Sequence, residues 1–167
     1  MKVVIDFETT GLSPYCDEIL SVSIIDENGK VLLDKLCKPA VVRSWEAAQA
    51  IHGISPDDVK DCPHFAELVP EVKDILFFAD SIIAYNADFE IGFLVANGID
   101  VIDAGLWFED PMLMFAPIYG EWNSFRNDYK WQKLSVCADY YGYKFKAHNS
   151  LEDVKATLYC YKKMMEN

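Results

Sequence analysis

The hydrophobic pattern opens with an apolar run at residues 3–5 that leads into Asp6-Phe7-Glu8 and stops at Thr9-Thr10-Gly11. This predicts a buried strand with acids at its exit and a turn behind them. Strand side chains alternate between faces, so Asp6 and Glu8 point the same way. Residues 18–26 and 30–38 are two more apolar-rich runs joined through Glu27-Asn28-Gly29, and Asn-Gly between such runs signals a hairpin. Three successive antiparallel strands are therefore expected. Helical spacing or composition follows at 44–51, at 65–78 around Pro70, and at 111–119 and 133–141. Ser55-Pro56-Asp57-Asp58 has the cap, the N1 proline and the N3 acid of a helix start. Residues 81–85 read as a short strand running into a helix that Gly98 stops, 105–109 as another strand, and a last helix starts near Ser150. Residues 117–132 are the least regular segment. Strands followed by alternating helices and strands predict an α/β domain with a mixed central sheet flanked by helices.

Composition narrows the class. The 167 residues are 51% hydrophobic and 14% aromatic, which suits a single globular domain over 1–167. Met1-Lys2 runs directly into the first strand, leaving no space for a signal peptide, and no apolar run approaches membrane-spanning length, so a cytoplasmic protein with no membrane partner is expected. Five scattered cysteines without a C-x-x-C pair fit reduced thiols rather than disulfides or a zinc site. The net charge of −12 argues against long duplex nucleic acid held by phosphate neutralisation alone. The balance is uneven: residues 117–148 hold Arg126, Lys130, Lys133, Lys144 and Lys146 against Glu121, Asp128 and Asp139.

Three polar groups carry the candidate chemistry. Asp6 and Glu8 repel each other at the end of an apolar strand, a cost relieved by protonation or by a cation. The alternative is two solvated acids. Asp88 and Glu90 sit at a strand-to-helix junction, where an acid is also favoured by the helix N-terminus. His148 precedes Asp153 by five positions, although Ser150 with Asp153 also has the spacing of a capping box, and a lone histidine is commonly just a surface residue.

Taken together, Asp6-Phe7-Glu8-Thr9-Thr10-Gly11-Leu12, Asn86-Ala87-Asp88-Phe89-Glu90 and His148 with Asp153 resemble the three motifs of the DEDDh 3′ to 5′ exonucleases, the family of the bacterial replicative polymerase's proofreading subunit. Ile51-His52-Gly53-Ile54 and Phe65-Ala66-Glu67 also look like that family. The resemblance implies a ribonuclease H-like fold with a five-stranded sheet, and hydrolysis of phosphodiester bonds from the 3′ ends of single-stranded DNA or RNA. It implies two Mg²⁺ or Mn²⁺ ions held by Asp6, Glu8, Glu90 and Asp153, with His148 as general base, a role suited to a side chain that ordinarily titrates near neutrality. Thr9, Thr10, Gly11, Leu12, His52, Asn86, Phe89 and Phe93 would contact the terminal nucleotide. For Phe89 and Phe93, ordinary i, i+4 packing is the competing reading.

The chain departs from the family at one acid. The family's second motif has aspartate directly after the aromatic residue, where this chain has Glu90, and Asp88 lies two positions earlier. Register favours Glu90, with Asp88 the alternative ligand if the helix start is shifted. Tyr85 stands where relatives often carry histidine. The longer acid and the aromatic segment around Trp122 and Trp131 motivate a second reading, a catalytically weak module that holds 3′ ends or docks on a DNA polymerase. Lys144 and Lys146, close in sequence to His148, would meet the strand backbone. DNA and RNA are not separated at this level, because no residue identifiable from sequence reads the 2′-hydroxyl.

Overall fold

The computed structural model describes residues 1–166. Five strands, β1 (Lys2–Thr9), β2 (Ile19–Asp26), β3 (Val31–Leu36), β4 (Ser81–Ile83) and β5 (Phe108–Glu109), form one mixed sheet in the order β3-β2-β1-β4-β5. The first three are antiparallel neighbours, with Gly29 in the left-handed region at the β2–β3 turn, as the Asn-Gly signal predicts. β4 and β5 add in parallel on the other side of β1. The α/β, ribonuclease H-like architecture expected from sequence is therefore the one observed, and β1 is its central strand.

The period-2 pattern of β1 divides the core. Val3, Ile5 and Phe7 face α3 (Phe65–Phe77) and α4 (Ala87–Ala96), packing with Phe65, Leu68, Val72, Phe93 and Leu94. Val4 faces the opposite side, where Val154, Leu158 and Tyr161 of α7 (Ser150–Met165) cover it with Ile25 and Ile83. Asp6 and Glu8 continue the Val4 face beyond this apolar patch. α5 (Pro111–Tyr119) and α6 (Leu134–Tyr140) extend that layer through Phe115, Cys137 and Cys160. Two short helices, α1 (Glu46–His52) and α2 (Pro56–Val59), complete the helical set of the described residues, and the Ser55–Asp58 capping box of α2 forms as its sequence predicts. Among the described residues no helix is long and apolar enough to cross a membrane.

Two local expectations are corrected. Residues 117–132 are not irregular throughout: β6 (Trp122–Asn123) and β7 (Asp128–Tyr129) pair as a hairpin, held by edge-to-face packing of Trp122 on Tyr129 at 5.2 Å. Asn127 takes the left-handed conformation at its turn. At α7 the cap is Asn149, whose Oδ1 accepts from the Glu152 amide at 3.1 Å, and not Ser150. Ser150 is instead buried against the sheet. Its Oγ lies 2.6 Å from Ser21 Oγ and 2.7 Å from Ser23 Oγ, and Ser23 donates to Asp34 Oδ1 at 2.8 Å. Each hydroxyl has one proton, so the donors run Ser21 to Ser150 to Ser23 to Asp34. This chain ties the start of α7 to β2.

Candidate active site

A cavity of about 510 Å³ opens at the exit of β1. Its lining includes Asp6, Glu8, Glu90, His148 and Asp153, so the three motifs spread along the sequence meet in one place. Three elements bring the acids there. β1 supplies Asp6 and Glu8, paired across to Ser23 and Ser21. The serine chain from those two residues seats α7, whose first turn carries Asp153. α4 supplies Glu90, and Asp110 fixes the start of α4: its carboxylate accepts from the Asn86 amide at 3.1 Å, the Ala87 amide at 2.9 Å and the Met112 amide at 2.8 Å. One acid therefore caps two helices.

The electrostatics are those of acids crowded without a counter-charge. Burial and the nearby Asp153 carboxylate push Glu8 up to about 8. Burial pushes Asp153 up to about 7, against the opposing pull of the His148 and Asn149 backbone amides. Asp6 is raised well above the usual carboxylate range by burial and by the charges of Glu90, Asp153 and Glu8, and Glu90 is raised by burial, Asp110 and Glu8. Glu90 is 2% exposed with Oε2 unpartnered, and Asp153 Oδ1 is likewise buried without a partner. Orphaned, buried, hard oxygen donors of like charge suit a divalent cation such as Mg²⁺ or Mn²⁺. Ligand atoms of Glu8, His148 and Asp153 also lie within 4.8 Å of one another. The site's chemistry therefore fits divalent metal.

Asp88 and Glu90 are placed differently. Asp88 is exposed and outside the cavity, whereas Glu90 is buried in its wall. His148 is an exposed residue in the left-handed region, φ 65°, beside the acids, and its amide donates to Asp153 Oδ2 at 3.0 Å.

The residues expected at the nucleotide divide into wall and support. Leu12, 85% exposed, lines the cavity with Gly11, His52, Asn86 and Phe89. Thr9 and Thr10 line it too, but their hydroxyls are engaged in the turn: Thr9 Oγ1 donates to the Gly11 carbonyl at 2.6 Å, and Thr10 Oγ1 donates to Asp17 Oδ1 at 3.0 Å. Gly11 is required here by a close approach, because a Cβ would stand 2.5 Å from the Asp17 carboxylate. His52 accepts the Ile54 amide at Nδ1, 3.0 Å, so its proton is on Nε2, which donates to the Thr9 carbonyl at 3.2 Å. Burial lowers its pKa and keeps it neutral. Phe93 is fully buried in the core and absent from the wall; it backs Phe89, with ring centroids 4.9 Å apart. Asp17, Asp110 and Ser150 are not singled out as site residues from sequence: Asp110 followed by Pro111 carries the local signal of a helix cap, but its hold on α4 and the bonds of Ser150 to β2 are contacts between distant residues.

A ribonuclease H-like sheet with carboxylates converging at the exit of its central strand defines a nuclease-type scaffold. The chain belongs to the exonuclease family, whose RNase_T model matches residues 3–161. It is 33% identical to the "Uncharacterized exonuclease CP81" of Escherichia phage 186, over 94% of this chain and 84% of that protein. It is also 30% identical, over 98% of its length, to "DNA polymerase III PolC-type" of Caldanaerobacter subterraneus subsp. tengcongensis, of which it spans only 11%. Among solved structures, "Exonuclease X in complex with 5' overhanging duplex DNA" superposes with a TM-score of 0.71 at 20% identity, covering 99% of this chain and 92% of that one.

Proposed function

We propose that residues 1–167 form one metal-dependent 3′ to 5′ exonuclease domain acting on single-stranded DNA ends. The observation that carries this reading is the convergence of four proton-hungry carboxylates and His148 on one cavity that no cation among the described residues neutralises. Two Mg²⁺ or Mn²⁺ ions held by Asp6, Glu8, Glu90 and Asp153 would stabilise the attacking and leaving oxygens of an in-line displacement at phosphorus. His148, reaching the acids from the solvent side, takes the proton of the attacking water. Leu12 and Phe89 supply apolar surface for the terminal base, and neutral His52 holds the floor of the pocket through Thr9. The net charge of −12, which disfavours a long duplex, and the aromatic and basic residues of 117–148 support a single strand. DNA rather than RNA is favoured by the names of the polymerase relatives and of the Exonuclease X complex. Association with a polymerase follows the PolC-type relatives. A 5′-labelled oligonucleotide incubated with Mn²⁺ should give a ladder shortening from the 3′ end. Release of the labelled 5′ nucleotide first, or tight binding without turnover, would overturn the reading.

A further inference from the structure

Resting on that exonuclease reading, we propose that the β6–β7 hairpin and the strand leading from it form a stacking platform for the bases that follow the terminal nucleotide of a single-stranded substrate. The platform begins where the cavity ends. Tyr85 lines the cavity and donates its hydroxyl to the Gln132 carbonyl at 2.9 Å, and Leu134, two residues further on, is also part of the cavity wall. Immediately before this junction the chain displays large rings to solvent: Phe125 is 96% exposed, Trp131 52% and Trp122 51%. The display is preorganised. Asn123 Oδ1 accepts from the Phe125 amide at 3.0 Å and the Arg126 amide at 3.2 Å, which fixes the tip, and the Arg126 guanidinium lies 5.1 Å over the Trp131 ring. At the root, Glu121 accepts from Lys130 Nζ at 2.6 Å and Gln132 Nε2 at 3.1 Å.

Chemistry selects the occupant. Exposed rings interleaved with Asn123, Arg126, Asn127, Asp128 and Lys130 do not make an apolar face for a protein partner; Lys130 is paired with Glu121, and among the described residues Arg126 has no carboxylate partner. A cation beside aromatic faces, in a chain of net charge −12, suits an anionic polymer whose every base offers a π-face. Continuity with the cavity makes that polymer the substrate strand itself.

Stacking on one aromatic side chain is worth on the order of tenfold in affinity. Phe125→Ala and Trp131→Leu should therefore each raise KM for a 12-nucleotide strand by roughly tenfold with kcat unchanged, and leave hydrolysis of a nitrophenyl ester of thymidine 5′-phosphate as in the natural chain. An unchanged KM for the strand, or an equal rise for the ester, overturns the platform. If the natural chain cleaves neither substrate, the exonuclease reading falls, and tryptophan fluorescence then decides the platform alone. Quenching by a 12-mer in EDTA that is weakened in Phe125→Ala, which keeps every tryptophan, supports it; identical quenching in Phe125→Ala and the natural chain overturns it.

Discussion

The backbone amide of His148 donates to Asp153 Oδ2 at 3.0 Å, while Asp153 Oδ1 remains buried and unpartnered. The bond holds His148 in its left-handed conformation and commits one carboxylate oxygen to the protein. The other is available to the cation of the proposed reaction. The amide survives replacement of the side chain, so His148→Ala should fold and respond to Mn²⁺ like the natural chain, with kcat lower by about 10²–10⁴-fold, the usual contribution of a general base. Single-turnover degradation together with thermal unfolding with and without Mn²⁺ separates the effects. Loss of the metal response with unfolding in EDTA unchanged would make His148 a metal ligand instead of the base.

The acid cluster makes metal-free stability fall as pH rises. A carboxylate whose folded pKa is above its unfolded one holds its proton more tightly in the native state, so stability is present at low pH and is lost through the window between the two. For Glu8 that window runs from 4.5 to about 8, and for Asp153 from 3.8 to about 7. Thermal unfolding in EDTA should give a lower Tm at pH 8 than at pH 5.5, and Mg²⁺ or Mn²⁺ should raise Tm more at pH 8. A Tm that rises with pH in EDTA contradicts this.

How much of this was legible in the sequence depends on the range of the interaction. Asp6 and Glu8 announced their shared face through strand alternation, Asn28-Gly29 its turn, and Ser55 to Asp58 a capping box, since each signal is local. The second-motif acid could be matched by register only, and burial of Glu90 with exposure of Asp88 needed the helix to be placed. Phe93 shares the i, i+4 spacing of a pocket residue but faces the sheet. Ser21 and Ser23 read as ordinary polar positions in a strand, because their partner Ser150 is more than a hundred positions away. The β6–β7 hairpin escaped because its two strands are two residues each and rest on one ring pair.

Glu90 and Asp88 should behave in opposite ways. Glu90→Gln removes a buried charge from a like-charged cluster, so it should raise Tm in EDTA at pH 8, abolish the Mn²⁺ response and reduce cleavage at least a hundredfold. Asp88→Asn should change none of these. Isothermal titration with Mn²⁺ alongside the cleavage assay checks the pair, and equal metal affinity in Glu90→Gln and the natural chain would remove Glu90 from the metal site.

Ser150 carries the register of α7 on β2. Ser150→Ala leaves the Ser21 hydroxyl without its acceptor and Ser23 without its donor, both buried, and should cost about 1–3 kcal/mol in urea unfolding. Because Asp153 and His148 are seated by the same helix start, kcat should fall as well. Unchanged stability would show that the hydroxyl chain contributes nothing.

The central claim, metal-dependent removal of nucleotides from a 3′ end, is tested most directly by incubating the natural chain with a 3′-labelled single-stranded DNA oligonucleotide in Mg²⁺, Mn²⁺ or EDTA. Release of labelled mononucleotide with either metal, silence in EDTA, and protection of a strand blocked at its 3′ end are the predicted results. An intact label in both metals, or release that EDTA does not suppress, would contradict the account.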